Sequence, residues 1–151
     1  MTRFRVAGTI RRPVEEVWAI LGDPENAPKW SLQTVAEELT SPRPIGVGTT
    51  RRAVVKAPRG GTMENHAVCT EYEPPRRIAW QTTSAAVPFH VVVDLSPMDS
   101  GTRIKSEWTL QLTGPMRLAA PLVGAIFRRY IQRDVANLKA LLESGRIRPN
   151  D

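Results

Sequence analysis

IRRPVEEVWAILGDPENAPKW, residues 10–30, is the stretch that decides the fold. Pro13 suits the first position of a helix, where a missing N–H costs nothing. Glu15 and Glu16 follow in the first turn and complement the positive end of the helix dipole. Val14, Val17, Trp18 and Leu21 recur at i, i+3, i+4 and i+7 and form one apolar face. Gly22 ends this helix. Asp23-Pro24-Glu25 then reads as a second start, with a capping carboxylate, Pro at the first helical position and an acidic first turn. This second helix is short and ends before Trp30.

Upstream, residues 2–11 place Phe4, Val6, Gly8 and Ile10 against Arg3, Arg5, Ala7 and Thr9, the period of two of a half-buried strand. Downstream the punctuation changes. Turn signals at 42–48, 59–61, 73–75, 84–86 and 97–101 separate β-rich runs at 32–40, 49–57, 63–73, 76–84, 87–96 and 101–112. Connections this short imply antiparallel hairpins. From Pro115 to Ser144 the pattern is helical, with Phe127, Ile131, Val135, Leu138 and Leu142 as the core stripe and a kink or break expected near Pro121. Pro149, Asn150 and Asp151 read as a frayed end. The fold class is therefore α+β: a seven-stranded antiparallel sheet curved around a long C-terminal helix, with two short helices after the first strand. One amphipathic helix covers only part of a broad curved sheet, so an apolar hollow between them is expected.

The 151 residues suit one domain, residues 1–151, and are 41% hydrophobic and 24% charged, which excludes a disordered chain. The net charge is +6, carried mostly by Arg in scattered pairs, Arg11-Arg12, Arg51-Arg52, Arg76-Arg77 and Arg128-Arg129. No basic run with interleaved aromatics is present, so a solvated surface is expected and no nucleic acid partner. The most apolar stretch, 116–127, would span ~18 Å as a helix, too short for stable membrane insertion. Being apolar almost all round, it is expected to pack on the short helices at the cavity mouth, with a homodimer contact or a membrane-touching lid as alternatives. Cys69 is the single cysteine, which excludes an internal disulfide. With no apolar leader at the N-terminus, a cytoplasmic location is expected.

Three stretches carry a family resemblance: 10–30, quoted above; IGVGTTRR at 45–52; and TEYEPPRRIAW at 70–80 with DLSPMDSGTRI at 94–104. They resemble the START/birch-allergen-like (SRPBCC) superfamily, in its polyketide cyclase/dehydrase-type branch. The resemblance implies a helix-grip fold with a deep hydrophobic cavity. It also implies a role in binding lipids, steroids, quinones or polyketides, with cyclisation or dehydration in some members. Fold alone does not choose among these roles.

Strand parity proposes the cavity lining. Ile78, Trp80 and Thr82 share one face, as do Phe89, Val91, Val93 and Leu95, and Ile104, Ser106, Trp108 and Leu110. In 63–73, Tyr72 and Val68 draw their face inward, which carries Glu64 and His66 to the cavity side. These two are then the acid–base pair if the protein is an enzyme. His66 and His90 would face opposite ways, so no metal site is expected. Trp30, Phe127 and Tyr130 complete the ligand-binding set, with Gly124 making room for a ligand in the inward helix stripe. Of Arg51 and Arg52 one must point inward, with Glu37, Glu64 or Asp134 as a possible protein partner. A strand-end Arg reaching back to solvent is the favoured reading. The leading function is binding of a small hydrophobic or amphipathic ligand, with no cofactor. The alternatives are a cyclase or dehydratase, and a protein-interaction domain of the chaperone-cofactor type.

Overall fold

The computed structural model describes residues 2–148. β1 (Thr2–Ile10) leads to α1 (Val14–Leu21), and a 3-10 turn at Pro24–Asn26 runs into α2 (Ala27–Trp30). Six strands follow: β2 (Thr34–Leu39), β3 (Thr50–Lys56), β4 (Thr62–Glu73), β5 (Arg77–Ser84), β6 (Phe89–Met98) and β7 (Gly101–Leu110). A 3-10 segment, Gly114–Ala119, precedes α3 (Ala120–Glu143). Local chemistry accounts for the starts. The Asp23 carboxylate accepts the Glu25 N–H at 3.0 Å, and α1 buries Val14, Val17 and Ile20. Pro121 lies in the first turn of α3, so the break expected near it is where the α-helix begins. The helix is thus shorter than the expected 115–144. The expected fraying of 149–151 lies outside the described residues.

All seven strands form one antiparallel sheet, ordered β1-β7-β6-β5-β4-β3-β2. The β6–β7 hairpin turns at Met98 and Gly101. Gly101 has φ +144°, and a Cβ there would collide with the Ile10 carbonyl oxygen. Glycine is needed at this position on both counts.

Two apolar clusters hold the layers together. One joins α1 and the C-terminal half of α3 to the sheet through Ile10, Val17, Ile20, Ile104, Leu138 and Leu142. The other lies on the sheet around Ile78, Trp80, Phe89, Val91 and Leu110. Near its start α3 runs tight against β1, where a Cβ on Gly124 would come within 2.8 Å of Thr2 Cγ2. Gly124 therefore permits close helix–sheet packing; it does not make room for a ligand.

The apolar stretch 116–127 departs from expectation. Leu118 is 90% exposed and Leu122 65% exposed, and the 3-10 segment buries no residue. Its packing on the short helices is overturned, because only one side of the chain, with Val123, Gly124 and Phe127, meets the sheet.

β4 also departs from simple alternation. Cys69 pairs with Trp80 but Glu71 with Ala79, so Thr70 is an extra residue, a β-bulge. Ala67 and Cys69 are buried on the concave side. The bulge brings Tyr72 to that same side, where its ring lies 5.7 Å from that of Trp18. Counting back in twos from Tyr72 therefore puts Glu64, His66 and Val68 on the wrong face. His66 is paired with Arg52 and His90 with Gln81 in the ladder, so both histidines share the outer face. A second bulge in β2, at Val35, lets Thr34 and Glu37 both point toward the concave side.

Candidate functional site

Between the concave face of the sheet and α3 lies a cavity of about 270 Å³. Its walls come from alternate residues of β3, β5, β6 and β7, closed on one side by α3 and on another by α2. The lining includes Trp30 at the end of α2, Ile78 and Trp80 on β5, and Phe89 and Val91 on β6. Trp108 on β7 and Phe127 and Tyr130 on α3 line it as well. Phe89 and Trp108 are in tilted contact at 5.0 Å between ring centroids, and Phe4 stacks on Trp108 from the side of β1. Trp108 donates its indole N–H to Ser106 Oγ at 3.2 Å, which fixes the ring as a wall. The Trp30 indole N–H is buried and has no hydrogen-bond partner among the described residues.

Three expected lining residues lie elsewhere. Val68 is on the outer face of β4. Tyr72 packs on Trp18, and Gly124 packs on Thr2. His66 and Glu64 are also corrected. Glu64 borders the cavity, but its carboxylate turns outward to meet Arg52 at 2.7 and 3.0 Å and His66 Nε2 at 2.8 Å. These hydrogen bonds hold the Glu64 carboxyl down to about 2, Arg52 having the larger effect. An acid held ionised on the solvent side of the sheet cannot donate a proton into the cavity.

The charged chemistry inside the cavity comes from residues to which periodicity alone assigned no binding role. Arg51 points inward and is only 7% exposed, against the expectation that it reaches solvent. Its Nη1 donates to Asn65 Oδ1 at 2.8 Å, and its Nε lies 3.6 Å from Glu37 Oε2. The guanidinium sits over the Trp80 ring, 5.3 Å from the centroid, a cation–π contact. Burial raises the Glu37 carboxyl to about 7, opposed by Arg51 and assisted by Asp23. Burial also lowers Arg51 from its ordinary value, with Glu37 opposing. Burial outweighs mutual attraction for both groups because their contact is longer than a hydrogen bond. Asn65 was assigned outward by the parity that the Thr70 bulge breaks. The alternation of Arg51, Ala53 and Val55 was the available signal for an inward Arg51.

A second polar group closes the far wall. Asp134 on α3 accepts from Ser31 Oγ at 2.7 Å and from the Leu32 N–H at 2.9 Å. Asn137 donates to the Trp30 carbonyl at 2.7 Å. Together they latch the α2–β2 connection onto α3. Burial raises the Asp134 carboxyl, against the hydrogen bonds from Ser31 and Leu32.

Known proteins share this fold. A Thermus thermophilus protein of solved structure superposes with a TM-score of 0.80 at 19% identity, covering 95% of this chain and 98% of that one. The di-domain ARO/CYC protein StfQ from the steffimycin biosynthetic pathway superposes at 0.82 with 11% identity, over 96% of this chain and 52% of that chain. At these identities the likeness is one of fold. In sequence, an uncharacterized protein of Mycobacterium tuberculosis is 29% identical over 126 residues, 78% of this chain and 73% of the relative. No described helix is long and apolar enough to cross a membrane. The family model described as polyketide cyclase / dehydrase and lipid transport matches residues 1–143, and the chain belongs to that family.

Proposed function

We propose that the protein encloses one small hydrophobic or amphipathic molecule in the cavity between the sheet and α3. The observation that carries this reading is the cavity itself, about 270 Å³ walled largely by aromatic and aliphatic side chains. Filled by solvent alone, that space would hold several waters. Apolar walls offer such waters few partners, so an apolar guest is the favoured occupant. At ~25 cal/mol per Å², burying ~300 Å² of ligand supplies on the order of 7 kcal/mol gross, reduced by ordering and immobilisation.

The cyclase or dehydratase alternative loses its expected acid–base pair, because His66 bonds to Glu64 and Glu64 in turn to Arg52, all on the outer face. What favours it is Glu37, whose carboxyl at about 7 matches the working range of a general acid–base group. Native mass spectrometry of freshly purified protein, followed by solvent extraction, tests the enclosure reading. A stoichiometric hydrophobic molecule that Ala53→Trp expels supports it; Ala53 is a 2%-exposed wall residue. Protein that neither retains nor takes up any apolar molecule overturns it.

A further inference from the structure

Resting on that reading, we propose that Arg51, Asn65 and Glu37 form a head-group subsite for a carboxylate, so that the ligand is an amphipathic acid with its apolar body along Trp80, Phe89 and Trp108. The geometry is a cluster of donors with spare capacity inside an apolar cavity. Arg51 commits only Nη1, to Asn65 Oδ1, and its Nη2 makes no hydrogen bond among the described residues. Its Nε is 3.6 Å from Glu37, beyond hydrogen-bond reach. Asn65 accepts from Arg51, which leaves its side-chain N–H₂ to donate. The Trp80 ring holds the guanidinium from one face, so the free edge is preorganised and little rotamer freedom is lost on binding. Planar donors of this kind match the two oxygens of a carboxylate.

Glu37 decides the proton balance. Lys56 on β3 and Glu64 on β4 also line the cavity, Glu64 being taken by Arg52 and His66. Arg51 on β3 faces Glu37 at 3.6 Å. Asp23, before α2, acts on it from a distance and is engaged by Arg43 at 3.0 Å. Glu25 is taken by Arg43 and the Leu39 N–H. Asp134 on α3 is taken by Ser31 and Leu32. Arg52 and Glu38 pair with each other on the outer face. A ligand carboxylate placed against Arg51 competes with the Glu37 carboxylate for one cation. Two carboxylates sharing a site cannot both ionise easily, so Glu37 takes up a proton as the acid binds and becomes a donor to it. Binding of the anion is therefore linked to uptake of up to one proton, and affinity falls as pH rises above 7.

The test uses three ligands with one tail: decanoate, decanol and decyltrimethylammonium, titrated calorimetrically into the whole protein between pH 6 and 9. Decanoate is expected to bind at least tenfold tighter than the other two at pH 6.5. Above pH 7 its affinity should fall by up to tenfold per unit, with proton uptake visible as a dependence on buffer ionisation heat. Glu37→Gln should keep the preference for acid and lose the pH dependence, and Arg51→Met should bring decanoate down to the level of decanol. Equal binding of acid and alcohol by the wild type overturns the subsite and leaves the cavity reading intact, and needs no variant to fold. Decanoate affinity independent of pH in the wild type overturns the role of Glu37. If none of the three binds, the cavity reading and the subsite fall together.

Discussion

Replacing Glu37 by Gln should remove a pH-dependent loss of stability that the wild type carries. Glu37 is raised from 4.5 to about 7 in the folded protein, so the folded state holds a proton that the unfolded state has released. For a carboxyl raised in this way, stability is fully present below 4.5 and is lost as pH rises toward 7. At ~1.4 kcal/mol per pH unit, the full effect is ~3 kcal/mol by pH 8, most of it falling between pH 5 and pH 8. The side chain is 11% exposed, so solvent screening takes little from this figure. Asp134 is raised in the same direction but is unchanged by the substitution, so the difference between the two proteins isolates Glu37. Urea unfolding at pH 5, 6, 7 and 8 reads it. With a slope of ~2 kcal/mol/M, the wild-type midpoint should drop by ~1 M relative to Glu37→Gln over that range. At pH 5 the two proteins should differ by less than ~1 kcal/mol, because the folded carboxyl is still neutral and close to the amide in shape and charge. Wild type and variant running parallel within ~0.5 kcal/mol from pH 5 to 8 would refute the reasoning.

Other consequences are as specific. Gly101→Ala should destabilise by ~3 kcal/mol or more in thermal unfolding, since it combines a positive φ with a collision against the Ile10 backbone, neither of which a side chain can relieve. Leu118→Asp should change stability by no more than ~0.5 kcal/mol, because the side chain is 90% exposed; a loss above ~2 kcal/mol would mean that the 3-10 segment is packed after all. Asp134→Ala should cost roughly 2 kcal/mol, as the Ser31 hydroxyl and Leu32 N–H lose their acceptor. It should also speed hydrogen exchange selectively at residues 30–34, whereas uniform exchange would argue against a latch.

Much of the architecture was legible before folding is considered. A proline where its missing N–H does no harm, a capping aspartate and an apolar face at i, i+3, i+4 place α1 and the turn at Asp23 from within eighteen residues. Turn signals placed six strands close to where they lie, because turn chemistry is carried by adjacent residues. The inward faces of β5, β6 and β7 were also legible, since their large apolar and their charged residues fall on opposite parities, with Ala79 and Val92 as the apolar exceptions. The apolar part of the candidate site follows from them: Ile78, Trp80, Phe89, Val91 and Trp108 all reach the cavity.

The polar part contributed by β4 was not legible, and the reason is one residue. Thr70 is an extra residue that flips the face of β4 between Cys69 and Tyr72. Nothing in its immediate neighbourhood announces a bulge, because the register of β4 is chosen by pairing with β5. Correct reading of Tyr72 as inward therefore misplaced Glu64 and His66, and hid Asn65. Arg51 differs, since parity allowed it to point inward while local chemistry favours solvent. Only three strands brought side by side surround it with Glu37, Asn65 and Trp80. Gly124 makes the point in a helix, where the approach of β1 decided whether a missing side chain leaves space or closes it. Order of elements, strand count and the apolar wall were determined by the chain alone, because each depends on neighbours a few residues away. The registry of β4, the burial of Arg51 and the titration of Glu37 were decided only by the tertiary structure, because each depends on which distant strand lies alongside and on how much water that neighbour excludes.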